Sequence, residues 1–210
     1  MGRLFDETTR RHIAVRCAAF ARLPAAEPAP ALKRAAVAIT LVETEEAPGR
    51  TALLLTLRAA GLRSHRSQWA LPGGRCDEGE TSIEASLREL HEELGLELGT
   101  RDVLGLLDDY PTRSGYLITP VVVWAATRAA LSPNPTEVAL VHRIALDDIE
   151  RVEAFDFVAI PESTRRVIRF RHAGHFIHAP TAALIYQFRE VLAGRDTRVA
   201  DLEQPVFAWK

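Results

Sequence analysis

The sequence predicts an α/β fold, on three observations. Ile83, Leu87, Leu90 and Leu94 recur at spacings of four, three and four, an apolar stripe of helical period suited to packing on a sheet. Around that helix lie short apolar runs of strand length, at 35–42 (AAVAITLV), 51–57 (TALLLTL), 103–107, 116–126 and 138–144. Turn chemistry such as Pro72-Gly73-Gly74 separates the two kinds of segment.

Taken in order, residues 7–22 read as a helix capped by Thr8 or Thr9, with Ile13, Cys17, Phe20 and Ala21 inward. Pro24, Pro28 and Pro30 among alanines make an extended linker, so residues 1–34 are expected to dock as an appendage on a body spanning 35–210. Two strands follow, then the basic stretch 58–69, the central helix, and three further strands. Asp147-Asp148 begins a short helix, and 163–171 (STRRVIRFR) is strand-like. Pro180 at a first helical position starts a last helix with Leu184, Phe188 and Val191 inward and Gly194 closing it. The tail ends in Pro205-Val206-Phe207-Ala208-Trp209, apolar enough to pack back on the body.

Composition bounds the function. The chain has 210 residues, 47% hydrophobic and 26% charged, with a formal net charge of -2. That is an ordinary globule with no global electrostatic argument for nucleic acid or an anionic membrane. No apolar run reaches the length of a membrane span, and the first residues show no secretion signal, so a cytoplasmic protein is expected. Cys17 and Cys76 make neither a disulfide framework nor a zinc spacing.

The chemistry concentrates in 74–96, GRCDEGETSIEASLRELHEELGL. Thr81 or Ser82 can cap the helix, and Gly95 ends it. Glu89, Glu92 and Glu93 stand at i, i+3 and i+4, so three carboxylates share a face away from the apolar stripe. Like charges at that spacing repel. A hard divalent cation such as Mg²⁺ or Mn²⁺ offsets the repulsion and can then grip phosphate oxygens. Arg88 is placed to pair with an acid such as Glu80 and hold the loop to the helix. The bland alternative is a solvated acidic face.

Gly74, Glu80, Arg88, Glu89, Leu90, Glu92, Glu93, Gly95 and Leu96 fall at fixed offsets that fill every position of the Nudix box, and the stretch resembles that motif. The resemblance implies an α/β/α sandwich with a mixed β-sheet. It also implies hydrolysis of a nucleoside diphosphate linked to another moiety, with Mg²⁺ or Mn²⁺ held by Glu89, Glu92 and Glu93 together with Gly74. Upstream, Leu54-Leu55-Thr56, Arg58-Ala59, Arg63 and Pro72-Gly73-Gly74 resemble the signature of the coenzyme A pyrophosphatase branch, departing from it at Ser67 and Leu71.

The expected substrate is therefore coenzyme A or its thioesters. Alternatives are ADP-ribose, a nucleotide sugar or a nucleoside triphosphate, and, in another class, a ligand sensor that does not cut. Arg58, Arg63 and Arg66 are candidates for substrate phosphate, and Tyr116 or Trp69 for stacking on adenine. Glu89 or Glu137 is the candidate general base, with Asp108 and Asp109 behind them. A homodimer through the N-terminal helix or the Phe207–Trp209 tail is left open.

Overall fold

The computed structural model describes residues 3–23, 32–45, 49–61, 68–125 and 131–208. Strands β1 (Lys33–Glu43) and β2 (Thr51–Arg58) are antiparallel at the centre of the main sheet, with Leu41 opposite Leu53. Both alternate side chains between two buried faces, as strands covered on both sides must. Ile39, Leu41, Leu53 and Leu55 enter one core, whereas Ala38, Val42, Ala52 and Leu54 enter the other.

Beyond Leu53, β1 and β2 part. The gap is filled by β3 (Trp69–Ala70) against β2 and β4 (Gly73–Arg75) against β1, with Ala36 opposite Gly74. The sequence reads Pro72-Gly73-Gly74 as a turn, but the two glycines open this short strand. Gly73 adopts φ +150° with its α-carbon tight against Ala36 and Val37, a position closed to any Cβ.

Helix α2 (Ser82–Leu94) follows β4 and lies on the second core through Leu90 and Leu94. After it come β5 (Val103–Leu106), β6 (Tyr110–Pro111), β7 (Tyr116–Trp124) and β8 (Val138–Ala145). Strand β7 runs parallel to β1 while its other pairings are antiparallel, so the sheet is mixed. Strand β8 pairs along β2.

The first core is closed by α1 (Glu7–Ala19), α4 (Thr181–Leu192) and a second sheet. That sheet has the order β11-β10-β9, built from β9 (Phe155–Ile160), β10 (Ser163–His172) and β11 (His175–His178). A short α3 (Leu146–Glu150) leads into it. With α2 on one face and α1 and α4 on the other, the layers are those of an α/β/α sandwich.

Several expectations shift. Asp6 rather than Thr8 or Thr9 caps α1, its carboxylate accepting from Thr9 N at 2.8 Å, and the helix stops at Ala19 so that Ala21 is exposed. Pro180 sits one position outside α4, as its cap. Strands β9 and β11 were not foreseen. In the tail Pro205 is buried but Phe207 is 61% exposed, its ring edge-on to His178, while Trp209 lies outside the described residues. Among the described residues no helix is long and apolar enough to cross a membrane.

Candidate active site

Helix α2 starts on a complete capping box: Thr81 Oγ1 accepts from Glu84 N at 3.2 Å, and Glu84 Oε2 accepts from Thr81 N at 2.9 Å. It ends at Gly95, left-handed at φ 69°, whose N–H returns to the last helical turn. Between these caps the helix carries Arg88 and Glu89 against β4 and Glu93 beside Asn134 of the loop at 131–137, with Glu92 half exposed next to Arg88.

Arg88 is the hub. Its Nε and Nη2 grip Glu80 Oε1 and Oε2 at 2.9 and 3.0 Å, and Nη2 also reaches the Arg75 carbonyl at 3.0 Å. Its Nη1 spans Glu89 Oε1 at 2.9 Å and Glu92 Oε2 at 3.0 Å. The fork thus ties the loop to the helix and orients two acids at once. The hydrogen bonds from Arg88 hold the Glu80 carboxyl below its ordinary range.

Glu89 lies against Gly74. A Cβ on that glycine would stand 2.2 Å from Glu89 Oε1, so only a bare α-carbon lets the carboxylate approach the strand. Glu93 is deeper, 3% exposed. It receives the Gly73 N–H, while Arg58 Nη1 stands 3.8 Å from Oε1 and Oε2 is buried without a hydrogen-bond partner among the described residues. Burial first, then the charges of Glu89 and Glu137, push the Glu93 carboxyl up to about 8 against the pull of Arg58. Burial likewise raises Glu89, opposed by Arg88 and reinforced by Glu92 and Glu137.

Two neighbouring acids whose shared charge is disfavoured, one with an orphaned buried oxygen, suit a hard divalent cation. Every side-chain donor here is oxygen. Glu92 is turned into the Arg88 pair, and among the described residues no three acidic, histidine or cysteine side chains are gathered as a formed metal cluster.

The other expected residues divide. Glu137 precedes β8, and its charge reaches both Glu89 and Glu93. Arg58 belongs to the site; Arg63 and Arg66 lie outside the described residues. Tyr116 opens β7 in register with Lys33, three residues along β1 from the partner of Gly74, and its carbonyl accepts from Thr112 N at 2.7 Å. Among the described residues its hydrogen bonds go to Thr112 and not to the acids. Trp69 is half-buried, edge-on to His142 at 4.7 Å and packed on the first core.

Asp108 and Asp109 do structural work instead. Asp108 accepts from Leu23 N, Gln187 and Arg198, and Asp109 from Arg22 and Thr119, which fastens the segment after α1 to the body. Two contacts escaped the sequence reading: the Gly73 N–H and Asn134, whose backbone N–H donates to Glu93 O at 2.9 Å. The Pro-Asn-Pro-Thr run at 133–136 is turn chemistry that could have flagged the latter.

Comparison with known proteins identifies the family. The NUDIX domain family matches residues 32–165, more than half of the chain. A Nudix hydrolase called NudL from Photorhabdus laumondii is 35% identical over 141 residues, covering 66% of this chain and 75% of that protein. NudL of Enterobacter sp. strain 638 is 33% identical over 156 residues, covering 73% and 79%. Among solved structures, a MutT/nudix family protein from Enterococcus faecalis superposes with a TM-score of 0.55 at 20% identity, over 82% of this chain and 65% of that one. A Nudix hydrolase of M. smegmatis, RenU, gives 0.51 at 24% identity, over 77% and 86%. Those two likenesses speak to the fold alone. The chain belongs to the Nudix family and is a pyrophosphohydrolase of nucleoside diphosphate derivatives, in a family that generally uses divalent metal ions.

Proposed function

We infer that the substrate is coenzyme A or one of its thioesters, cut to 4′-phosphopantetheine and adenosine 3′,5′-bisphosphate with Mg²⁺ or Mn²⁺. The observation that carries this is the placement of Arg58. The first cation of the upstream signature ends β2 and stands 3.8 Å from the buried Glu93, rather than on a solvated loop.

Glu89, Glu92 and Glu93, with Gly74, are the residues that would hold the cation. When bound, it supplies Lewis-acid stabilisation of the diphosphate and lowers the pKa of a water. Arg88 keeps Glu89 aimed, and Arg58 offers a guanidinium to a phosphate oxygen. Glu137 takes the proton of the attacking water as its oxygen bonds to one phosphorus. The bridging P–O bond breaks, and the other phosphate departs with the electron pair.

The alternative substrates rest on two departures from the signature. They are Ser67, which lies outside the described residues, and Leu71, which is 4% exposed within the first core; together they keep ADP-ribose, nucleotide sugars and triphosphates in play. The non-cutting sensor is disfavoured because every box carboxylate is present. Both cysteines are free, in keeping with a cytoplasmic setting. Turnover of coenzyme A with Mg²⁺ or Mn²⁺, abolished in Glu93→Gln, tests the reading; wild-type turnover in that variant would sink it.

A further inference from the structure

Glu137 stands near two acids that repel it, on a side chain with three rotatable bonds. Left alone, such a carboxylate would swing to water. One residue prevents this. Asn134 donates its backbone N–H to Glu93 O at 2.9 Å, and its carbonyl accepts from Glu137 N at 3.0 Å and Val138 N at 2.8 Å. Its side-chain Oδ1 accepts from Thr136 N at 3.1 Å and Thr136 Oγ1 at 2.7 Å. Its Nδ2 donates to Glu137 Oε1 at 3.2 Å.

The amide orientation follows from the partners. A carboxylate only accepts and a backbone N–H only donates, so the NH₂ must face Glu137 and the oxygen must face Thr136. Neighbouring bonds brace the same loop: Ser132 N donates to Leu94 O at 2.9 Å, and Ala59 N to Glu137 O at 2.8 Å. The turn itself needs only the side-chain oxygen, which an aspartate would supply as well. The amide nitrogen has no task in the turn.

We propose that Asn134 is a positioning residue, whose side-chain amide holds the Glu137 carboxylate in register with the acids of α2. Through one residue, the carbonyl of Glu93 and the carboxylate of Glu137 are tied at fixed separation. Oε1 of Glu137 is engaged, which leaves Oε2 to face the reaction. This rests on the reading of Glu137 as proton acceptor.

The test uses the full chain with Mg²⁺ and whichever of coenzyme A and ADP-ribose the wild type turns over faster. Asn134→Asp keeps the turn acceptor but replaces the donor with an oxygen. It is expected to lower kcat by about ten- to a hundredfold, as a misplaced base does. KM should stay within about threefold, and any fall in melting temperature from the added like charge should shrink in a Glu137→Gln background. In a Glu137→Gln background the same substitution should cost less than about twofold, because its target is already gone. Wild-type kcat in Asn134→Asp, or an undiminished cost beside Glu137→Gln, would each overturn the proposal. Wild-type kcat in Glu137→Gln alone would instead remove the proton-acceptor reading beneath it.

Discussion

Arg58 Nη1 stands 3.8 Å from Glu93 Oε1, close enough to pair in charge but beyond a hydrogen bond, and Glu93 Oε2 is buried with no hydrogen-bond partner among the described residues. A buried carboxylate left so incompletely satisfied is unstable by itself. Its arrangement makes sense as one side of a site completed from outside.

That incompleteness predicts a pH dependence. Without metal the folded Glu93 carboxyl lies near 8, raised by burial from 4.5, so the native protein keeps a proton that the unfolded chain has released. Its contribution to stability is whole below about 4.5 and is lost as pH rises through about 8. In the presence of a chelator the melting temperature should decline over that window, and Glu93→Gln should flatten the decline. Added Mn²⁺ should restore the wild type at the alkaline end, with proton release on binding. Equal slopes for wild type and variant would show that Glu93 is not the group responsible.

Gly74→Ala isolates the close approach. The Gly74 backbone carries no positive φ, so alanine is not strained there; its Cβ simply meets Glu89 Oε1 at 2.2 Å. The carboxylate must retreat. Turnover should drop on the order of a hundredfold with the fold intact, since an ångström of misplacement is costly at a reacting centre. Circular dichroism and kcat measured together check this: an active Gly74→Ala enzyme would mean that Glu89 has another working position.

Remote from the site, Glu203 staples the tail. It is 2% exposed and held by Arg113 at 3.1 and 2.5 Å, by Ser163 Oγ at 2.8 Å and by Gln204 N at 3.0 Å. The Arg113 bonds bring its carboxyl from 4.5 down to about 2. Its stabilisation is therefore present above about 4.5 and fades as pH falls through about 2. Glu203→Gln should cost roughly 1–3 kcal/mol in urea unfolding at neutral pH. The low end is favoured because the Arg113 guanidinium is half in water. Below about pH 4.5 the gap between variant and wild type should narrow; a constant gap would contradict the ion pair as its source.

What the sequence made legible is what local chemistry decides. The cap at Thr81, the stripe of Leu90 and Leu94, the Arg88–Glu80 pair and the stop at Gly95 all lie within one short stretch, where spacing alone dictates geometry. Strand β10 carries Arg165, Arg166, Arg169 and Arg171, and its partners β9 and β11 are short, so a second sheet left little periodic trace. Asp108 and Asp109 looked like spare acids because Arg22 and Arg198, which occupy them, are far away in the chain. The contact between Arg58 and Glu93 was equally hidden, since it depends on how β2 parts from β1.

The most direct test of the account is a comparison of kcat/KM for coenzyme A, its 3′-dephospho form, ADP-ribose and a nucleoside triphosphate, with Mg²⁺ and with Mn²⁺. Coenzyme A should be preferred, removal of its 3′-phosphate should lower kcat/KM, and the products should be 4′-phosphopantetheine and adenosine 3′,5′-bisphosphate. Faster turnover of ADP-ribose or a triphosphate would contradict the substrate assignment, and binding of these compounds without turnover of any would contradict catalysis itself.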